Sequence, residues 1–146
     1  MSVCALFGNR YVYENIDNRP ETVLIELIEN KKVKRLYVGN NGAFDRMAIA
    51  KLESLKRKYL HIEYTIVLAY LPANANEQSG NIIADTIYPD GLELVPRRFA
   101  ISKRNSWMID QSEYVVTYVK NTTGCANKLK LMAIRKGKNV IDIAEI

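Results

Sequence analysis

The sequence predicts an α/β protein of three layers, in which helices cover both faces of a mostly parallel sheet of about five strands. Short runs of apolar, β-branched and aromatic residues recur along the chain, and each is about as long as a buried strand. Segments with helical periodicity separate these runs. Strands that alternate with helices are joined by right-handed crossovers, which place the strands parallel to one another.

The apolar runs predict strands at Val3–Phe7, Val33–Val38, Ile62–Tyr70, Tyr114–Val119 and Val140–Ile143. Helical periodicity predicts helices at Glu21–Asn30, Asp45–Tyr59, Phe99–Gln111 and Asn127–Lys136. Gly137 follows the last helix as a C-terminal stop signal. In chain order these strands and helices alternate.

Residues 71–98 contain the one long loop in this pattern. The stretch holds three of the four prolines and includes PANANEQSGN and DTIYPDGLELVP. Long loops in compact domains are often functional or mobile, so we expect a lid over a site here. No internal repeat or low-complexity tract divides the chain, which predicts a single domain over residues 1–146.

The ends of the predicted strands carry the residues that point to a function. In an open parallel sheet, ligands bind at the carboxyl ends of the strands, near the point where the strand order reverses. Small and polar residues lie at three of these ends: Gly8-Asn9-Arg10, Gly39-Asn40-Asn41-Gly42 and Asn121-Thr122-Thr123-Gly124-Cys125. Small residues let the backbone approach a ligand, a helix N-terminus favours an anion, and Arg10 suits a phosphate or a carboxylate. Tyr70, which ends the third predicted strand, is a candidate for stacking on a base or covering the pocket.

These features predict a nucleotide-like pocket, with a purely structural role for the turns as the alternative. Gly8 is not followed by the spaced glycines of the dinucleotide fingerprint, and the sequence has no P-loop motif, which disfavours an ordinary dehydrogenase or a P-loop ATPase. His61 is the only histidine, so a Ser-His-Asp triad and a multi-histidine metal site are excluded. Without a histidine expected nearby, Cys125 is interpreted as a small pocket-lining residue rather than a nucleophile.

Charge and cysteine content limit the partners and the compartment. Twenty-one Lys and Arg against 16 Asp and Glu give a formal charge of +5, which favours anionic ligands or weak nucleic-acid contacts. Cys4 and Cys125 do not make a disulfide framework. The sequence shows no targeting segment and no apolar stretch of membrane-spanning length. We therefore expect a cytoplasmic protein without a membrane partner.

Four blocks of sequence cover nearly the whole chain: CALFGNR, YVGNNGAFDRMA, YPDGLELVPRRFAISKRNSWMIDQSEYVVTYV and TGCANKLKLMAIRKGKNVIDI. Together they resemble the small bacterial SLOG proteins of the DUF1273 type. These are relatives of the YpsA-like proteins and, more remotely, of the LOG phosphoribohydrolases and the DNA-processing protein DprA. The resemblance implies a Rossmann-like fold whose strand-end loops bind a nucleotide or a nucleotide-derived, NAD-related ligand.

The resemblance also assigns residues to the ligand site. Gly8-Asn9-Arg10 matches a turn usually written Gly-His-Arg, and Gly39 to Asp45 matches a glycine-containing block that ends in Phe-Asp. Arg104-Asn105 matches an Arg-Asn pair at a helix start, and Thr123 to Ala126 matches a Gly-Gly-Thr-like loop. Gly39 to Gly42 would then form one wall of the pocket, with Asp45 available to a ribose hydroxyl or to the helix cap.

Departures from the family pattern weaken a hydrolase interpretation. The LOG-type enzymes carry a Glu shortly after their glycine loop, where this sequence reads Asn127-Lys128-Leu129-Lys130. Asn9 stands in place of His, which removes a proton carrier, and Thr123 stands in place of the first Gly. Cleavage of an N-glycosidic bond needs a group that activates water or stabilises an oxocarbenium ion. We therefore expect a sensor or regulator that binds its ligand without hydrolysing it.

Three alternatives stay open. The first is a nucleotide-processing enzyme on the same pocket, with Asp45 or Asp85 as acid or base. The second is DNA binding, favoured by the charge of +5 and the remote relationship to DprA, although the sequence has no basic stripe with interleaved aromatics. The third concerns assembly, because apolar helix faces around Trp107 or Leu129 would support a homodimer.

Overall fold

Six parallel strands and four α-helices make up the part of the chain that the computed structural model describes, residues 2–12, 14, 16, 18–71, 85–120 and 124–145. The strands are β1 (Ser2–Gly8), β2 (Val33–Val38), β3 (Glu63–Val67), β4 (Asp85–Ile87), β5 (Tyr114–Tyr118) and β6 (Asn139–Asp142). The helices are α1 (Asn18–Asn30), α2 (Ala43–Lys58), α3 (Ala100–Asp110) and α4 (Cys125–Arg135). The fold is Rossmann-like α/β, as the alternation of strands and helices predicts.

The strand order places the point of reversal between β1 and β5. The order in the sheet is β4-β3-β2-β1-β5-β6, and every pairing is parallel. The chain therefore moves outward from β1 through β2, β3 and β4, then returns to the other side of β1 for β5 and β6. Gly8 at the end of β1 pairs with Tyr118 at the end of β5. A crevice for a ligand is expected at these two carboxyl ends.

Alternating residues of β1 feed two separate cores, one on each face of the sheet. Cys4 and Leu6 point into the larger core, where α1 and α2 pack. Ala5 and Phe7 point into the smaller core, which α3 and α4 cover. Trp107 of α3 joins this second core edge-on to Tyr37, with ring centroids 5.3 Å apart. Both faces of the sheet are thus covered, which explains why the central strand β1 is apolar almost throughout.

The segment predicted as one long loop contains a strand. Residues 85–87 form β4, which pairs with Thr65 to Val67 of β3. Two 3-10 turns follow, at Leu92–Leu94 and Arg97–Phe99. Because β4 is a three-residue edge strand that begins with two exposed residues, it leaves no apolar run in the sequence. Residues 72–84 of the predicted loop lie outside the described residues.

Element ends also shift slightly from the predictions. β3 stops at Val67, three residues short of the predicted end at Tyr70, whereas α4 already begins at Cys125. The first shift places Tyr70 in the turn after β3, and the second places Cys125 in the first turn of α4. Within the described residues, no helix has the length and apolar content that a membrane crossing requires.

Candidate ligand-binding site

A cavity of about 1010 Å³ opens at the carboxyl ends of the central strands. Its walls come from the turns after β1, β2, β3 and β5 and from the first turns of α2, α3 and α4. The volume lies at the upper end of the range for small-molecule pockets, roughly 300–1,000 Å³. The lining includes twelve of the residues that the sequence predicts: Gly8, Asn9, Arg10, Asn40, Asn41, Gly42, Asp45, Tyr70, Arg104, Asn105, Gly124 and Cys125.

Two helices begin at this cavity through glycines of the same unusual conformation. Gly42 precedes α2 with φ 98° and ψ 176°, and Gly124 precedes α4 with φ 104° and ψ 175°. This combination of angles is essentially restricted to glycine. Neither glycine has a side chain that could cap the first N–H groups of its helix. Both N-termini therefore bring the positive end of a helix dipole to the cavity, and their first N–H groups lack a side-chain cap, although that of Ala43 donates to the Arg10 carbonyl.

The turn after β1 is fixed between β5 and the start of α2. The Asn9 N–H donates to the Tyr118 carbonyl at 2.8 Å, and the Lys120 N–H donates to Asn9 Oδ1 at 2.8 Å. The Ala43 N–H donates to the Arg10 carbonyl at 2.7 Å. Asn9 therefore ties the end of β1 to the end of β5, a role that its amide oxygen fills without any need to titrate. The side chain of Arg10 extends from this fixed turn and is exposed.

Arg104 of α3 is a buried side chain that holds the β2–α2 turn together. Its Nε donates to Asn105 Oδ1 at 2.7 Å, and its Nη1 donates to Asn41 Oδ1 and to the Val67 carbonyl, both at 3.0 Å. Its Nη2 lies 3.7 Å from Asp45 Oδ2. We call these five groups the Arg104 network. Since the guanidinium is 1% exposed and already has these partners, its geometry fits a positioning role better than a direct contact with a ligand.

Gly39 makes room for this guanidinium. A β-carbon at Gly39 would lie 2.5 Å from Arg104 Cζ and 2.5 Å from Nη1, far inside van der Waals contact. Gly39 is buried and is not part of the cavity lining, although the sequence places it in the wall. It supports the wall from behind, because it admits the side chain that orders Asn41.

Asp45 is a buried carboxylate in the first turn of α2. Its Oδ2 accepts the Asn41 N–H at 2.9 Å, so it serves the turn before the helix. Burial raises the pKa of Asp45 from 3.8 to about 6, while the Arg104 guanidinium and the Asn41 N–H oppose that rise. Burial also lowers the pKa of Arg104, and the Asp45 carboxylate opposes that shift. At pH 7 the two groups form a buried ion pair.

Asp45 is expected to make the stability of the fold fall as the pH rises from about 4 to about 7. Its pKa is higher in the folded than in the unfolded chain, so the folded state binds the proton more tightly. The stabilisation is complete below pH 3.8 and is lost as the pH passes about 6. Two pKa units correspond to about 3 kcal/mol. Urea unfolding at several pH values should show this loss in the wild type and not in Asp45→Asn.

The difference between the two unfolding curves is the quantity to compare, because every other acidic group titrates in both proteins. Relative to Asp45→Asn, the wild type should lose about 2–3 kcal/mol between pH 4.5 and pH 7.5. Parallel stability profiles would show that the carboxylate of Asp45 has an ordinary pKa.

The lining carries more positive than negative charge. Four basic side chains line the cavity, Arg10, Arg98, Arg104 and Lys120, and the two acidic ones are Glu14 and Asp45. Glu14 accepts the Tyr118 hydroxyl at 3.0 Å and pairs with Lys120 at 3.4 Å. The hydrogen bond from Tyr118 is the main reason that the pKa of Glu14 lies below its usual value. Asp45 and Glu14 are thus paired with Arg104 and Lys120, and the lining also contains the two further cations Arg10 and Arg98. The site is therefore suited to an anion.

Several residues line the cavity without having been predicted as site residues, and two predicted residues cannot be placed. Arg98, Ile101 and Ser102 line the cavity at the start of α3, a position that only the packing of α3 against the sheet reveals. Lys120 directly precedes the predicted 121–125 turn, and adjacency alone could have found it; Ala126, the last residue of the loop that the resemblance matches, also lines the cavity. Thr122 and Thr123 lie outside the described residues.

Asp85 does not belong to this site. It begins the edge strand β4, which the sheet order separates from β1 by β3 and β2, and it is absent from the lining. Among the described residues, no group of three or more His, Cys, Asp or Glu side chains could hold a metal ion. Of the two carboxylates that the sequence predicts as acid or base, Asp45 is therefore the one that lines the cavity.

The chain is a Rossmann-like α/β protein with its cavity at the point of strand reversal, and it is similar in structure to DNA processing protein A (DprA) from Streptococcus pneumoniae. The match has a TM-score of 0.67 at 16% sequence identity, and it covers 95% of this chain and 49% of that chain. The chain thus spans about half the length of that protein. At this identity the similarity shows the fold alone. No protein-family model and no curated protein matches the sequence.

Proposed function

We propose that this protein binds an anionic, nucleotide-derived ligand in the cavity at the carboxyl ends of β1, β2 and β5. We further propose that it is a SLOG protein of the DUF1273 and YpsA-like type, which acts as a sensor or regulator of a nucleotide or an NAD-related metabolite. The observation that carries the proposal is the convergence of two glycine-led helix N-termini, those of α2 and α4, on one cavity.

Electrostatics supports an anionic ligand. Each helix N-terminus acts roughly as half a positive charge, and the effect is greatest within the first turn. Arg10 adds an exposed guanidinium beside the N-terminus of α2. Gly42 lets the backbone of Arg10 pack close to this N-terminus, because a β-carbon at Gly42 would lie 3.0 Å from Arg10 Cα. Phosphate groups bind where backbone N–H groups and a guanidinium meet in this way.

The proposal favours binding over hydrolysis. The first turn of α4, which begins at Cys125, carries no acidic residue. Asp45, one of the two carboxylates that line the cavity, accepts the Asn41 N–H and pairs with Arg104. Its elevated pKa of about 6 suits a general acid or base, so an enzyme remains the alternative on the same pocket. Turnover of AMP or NAD that is lost in Asp45→Asn while binding is kept would favour the enzyme.

Replacement of Arg10 by Ala is expected to weaken nucleotide binding roughly 10- to 150-fold, because a hydrogen bond to a charged group contributes about 1.5–3 kcal/mol. Native mass spectrometry of the gently purified protein would identify a retained ligand. Calorimetric titration with AMP, ADP-ribose and NAD would then compare the wild type with Arg10→Ala.

The matched control is Arg135→Ala, which removes an exposed guanidinium at the far end of α4, outside the cavity lining. Its affinity for the nucleotide should equal that of the wild type. A wild-type protein that carries no ligand and binds none of the three compounds would contradict the proposed function.

A second candidate is single-stranded DNA binding. One solved structure with a similar fold is a DNA processing protein, and this chain has a formal charge of +5. Contacts with phosphates make such binding strongly dependent on salt. A gel shift with a single-stranded oligonucleotide that weakens steeply between 50 and 200 mM salt would favour this function, and a shift that is absent at low salt would exclude it.

A further inference from the structure

The cavity is longer than a site for a phosphate group alone. Its lining reaches from Tyr70 after β3, past the ends of β2 and β1, to Gly124 after β5, and these four strands are consecutive in the sheet. Neighbouring strands lie about 4.8 Å apart, so three spacings correspond to about 14 Å. The two helix N-termini belong to the β2–β1–β5 part of this length. A ligand that fills the cavity must therefore extend beyond its anionic group toward β3.

Tyr70 brings an aromatic ring to the cavity from the turn after β3. The start of α3 adds Ile101, Ser102 and Arg98 to the lining. Ile101 is an apolar residue that the fold leaves 36% exposed at the cavity. The turns after β1, β2 and β5 contribute glycines, asparagines and the two helix N-termini, and Tyr11, Tyr118 and Leu129 also line that side. Tyr70 is the lining residue that the turn after β3 contributes, at the far end of the cavity from Gly124.

The ring of Tyr70 is held in place. Its hydroxyl donates to the Arg97 carbonyl at 3.1 Å, and the Arg97 guanidinium lies 4.3 Å from the ring centroid. A side chain that is anchored at its tip and covered by a cation has lost most of its freedom before any ligand arrives. Such an ordered aromatic surface binds a flat ring with little further loss of entropy.

We propose that Tyr70 and Ile101 form the subsite for the base of the ligand, with its phosphate at the N-termini of α2 and α4. This inference rests on the proposed function and adds an orientation and a ligand class to it. The ligand is a nucleoside phosphate or a larger compound that contains one, and a sugar phosphate without a base fills only part of the cavity. Tyr70 is then the residue that distinguishes the two classes.

The test is a calorimetric titration of AMP and of ribose 5-phosphate into the wild type, Tyr70→Ala and Tyr70→Phe. The wild type should bind AMP more tightly than ribose 5-phosphate. Loss of an aromatic partner weakens base binding by roughly 5- to 150-fold, so Tyr70→Ala should lose AMP affinity by that factor and keep its affinity for ribose 5-phosphate. Tyr70→Phe retains the ring and should retain most of the AMP affinity.

A second variant keeps the base subsite testable if Tyr70→Ala does not fold. Ile101→Ser changes an exposed side chain on α3, and it should weaken AMP binding while ribose 5-phosphate binding stays unchanged. Equal losses for the two ligands in Tyr70→Ala, or equal affinities for them in the wild type, would overturn the base subsite.

These outcomes separate the base subsite from the proposed function. If both ligands bind with equal affinity and both are lost in Arg10→Ala, the anion site stands and the base subsite is refuted. If the wild type binds neither AMP nor ribose 5-phosphate, the base subsite is refuted, and the proposed function is refuted with it when ADP-ribose and NAD also fail to bind.

Discussion

Replacement of Arg104 by Met is expected to lower the free energy of unfolding by about 3–5 kcal/mol at pH 7, because removing one partner of a buried ion pair leaves the other charge uncompensated. Arg104 and Asp45 are 1% and 6% exposed at their side chains. Met fills part of the volume of Arg, yet it cannot donate to Asn41 Oδ1 or to the Val67 carbonyl. Urea unfolding with linear extrapolation would measure the loss.

The matched control is Arg98→Met, the same substitution at an exposed position on the same cavity. Surface changes of this kind usually stay within about 0.5 kcal/mol. The deficit of Arg104→Met should shrink between pH 7 and pH 5, because Asp45 then becomes protonated and no longer needs a counter-charge. A loss no larger than that of Arg98→Met would show that the Arg104 network contributes little to stability.

Replacement of Gly39 by Ala is expected to destabilise the fold by about 2–4 kcal/mol through the same network. The new β-carbon would lie 2.5 Å from Arg104 Cζ, so the guanidinium must move. An exposed arginine would swing away at little cost. This one is buried and has partners on three other segments of the chain, so its displacement breaks several hydrogen bonds and separates it from Asp45.

A double-mutant cycle tests this mechanism directly. If Gly39→Ala acts by displacing the guanidinium, the double variant with Arg104→Met should cost much less than the sum of the two single changes. Gly137→Ala is the control, since a β-carbon at Gly137 would meet nothing within 4 Å and its effect is limited to backbone strain. Additive losses in the cycle would mean that Gly39 is required for another reason.

Both predictions assign Arg104 to the scaffold of the site rather than to the ligand. The sequence paired Arg104 with Asn105 as ligand contacts through the family resemblance, and both residues do line the cavity. The structure adds that the guanidinium is occupied by Asn41, Val67, Asn105 and Asp45. We therefore expect Arg104→Met to impair ligand binding through disorder of the β2–α2 turn.

The elements with strong periodicity were predictable, and the element that depends on a neighbour was not. β2 is correct to the residue at Val33–Val38, because its Val, Leu and Tyr residues lie between two clear breaks, Lys31-Lys32 and Gly39-Asn40. β4 has three residues, two of them exposed, and becomes a strand only by pairing with Thr65–Val67 of β3. Pairing across the sheet is long-range, so no local pattern in the sequence contains it.

The sequence identified the turns that form the site, but it could not assign a structural or ligand-binding role to each side chain. Asn9 was interpreted as a ligand residue that had lost a titrating group, whereas its amide ties β1 to β5 through Tyr118 and Lys120. Arg98 and Ile101 were not among the predicted site residues, because Arg98 lies in the 3-10 turn before α3 and Ile101 on α3 itself, rather than at a strand end. Which face of α3 meets the cavity is set by its packing on the second core.

The sequence by itself determined the fold class, the alternation of strands and helices, and the placing of small polar residues at strand ends. These properties are local, since hydrophobic period and turn chemistry act over a few residues. Only the tertiary structure decided that β5 returns beside β1, that α2 and α4 begin at one cavity, and that Arg104 is buried against Gly39. The physical reason is that each of these depends on contacts between segments far apart in the chain, and the free energy of those contacts is set by packing and burial rather than by any neighbour in sequence.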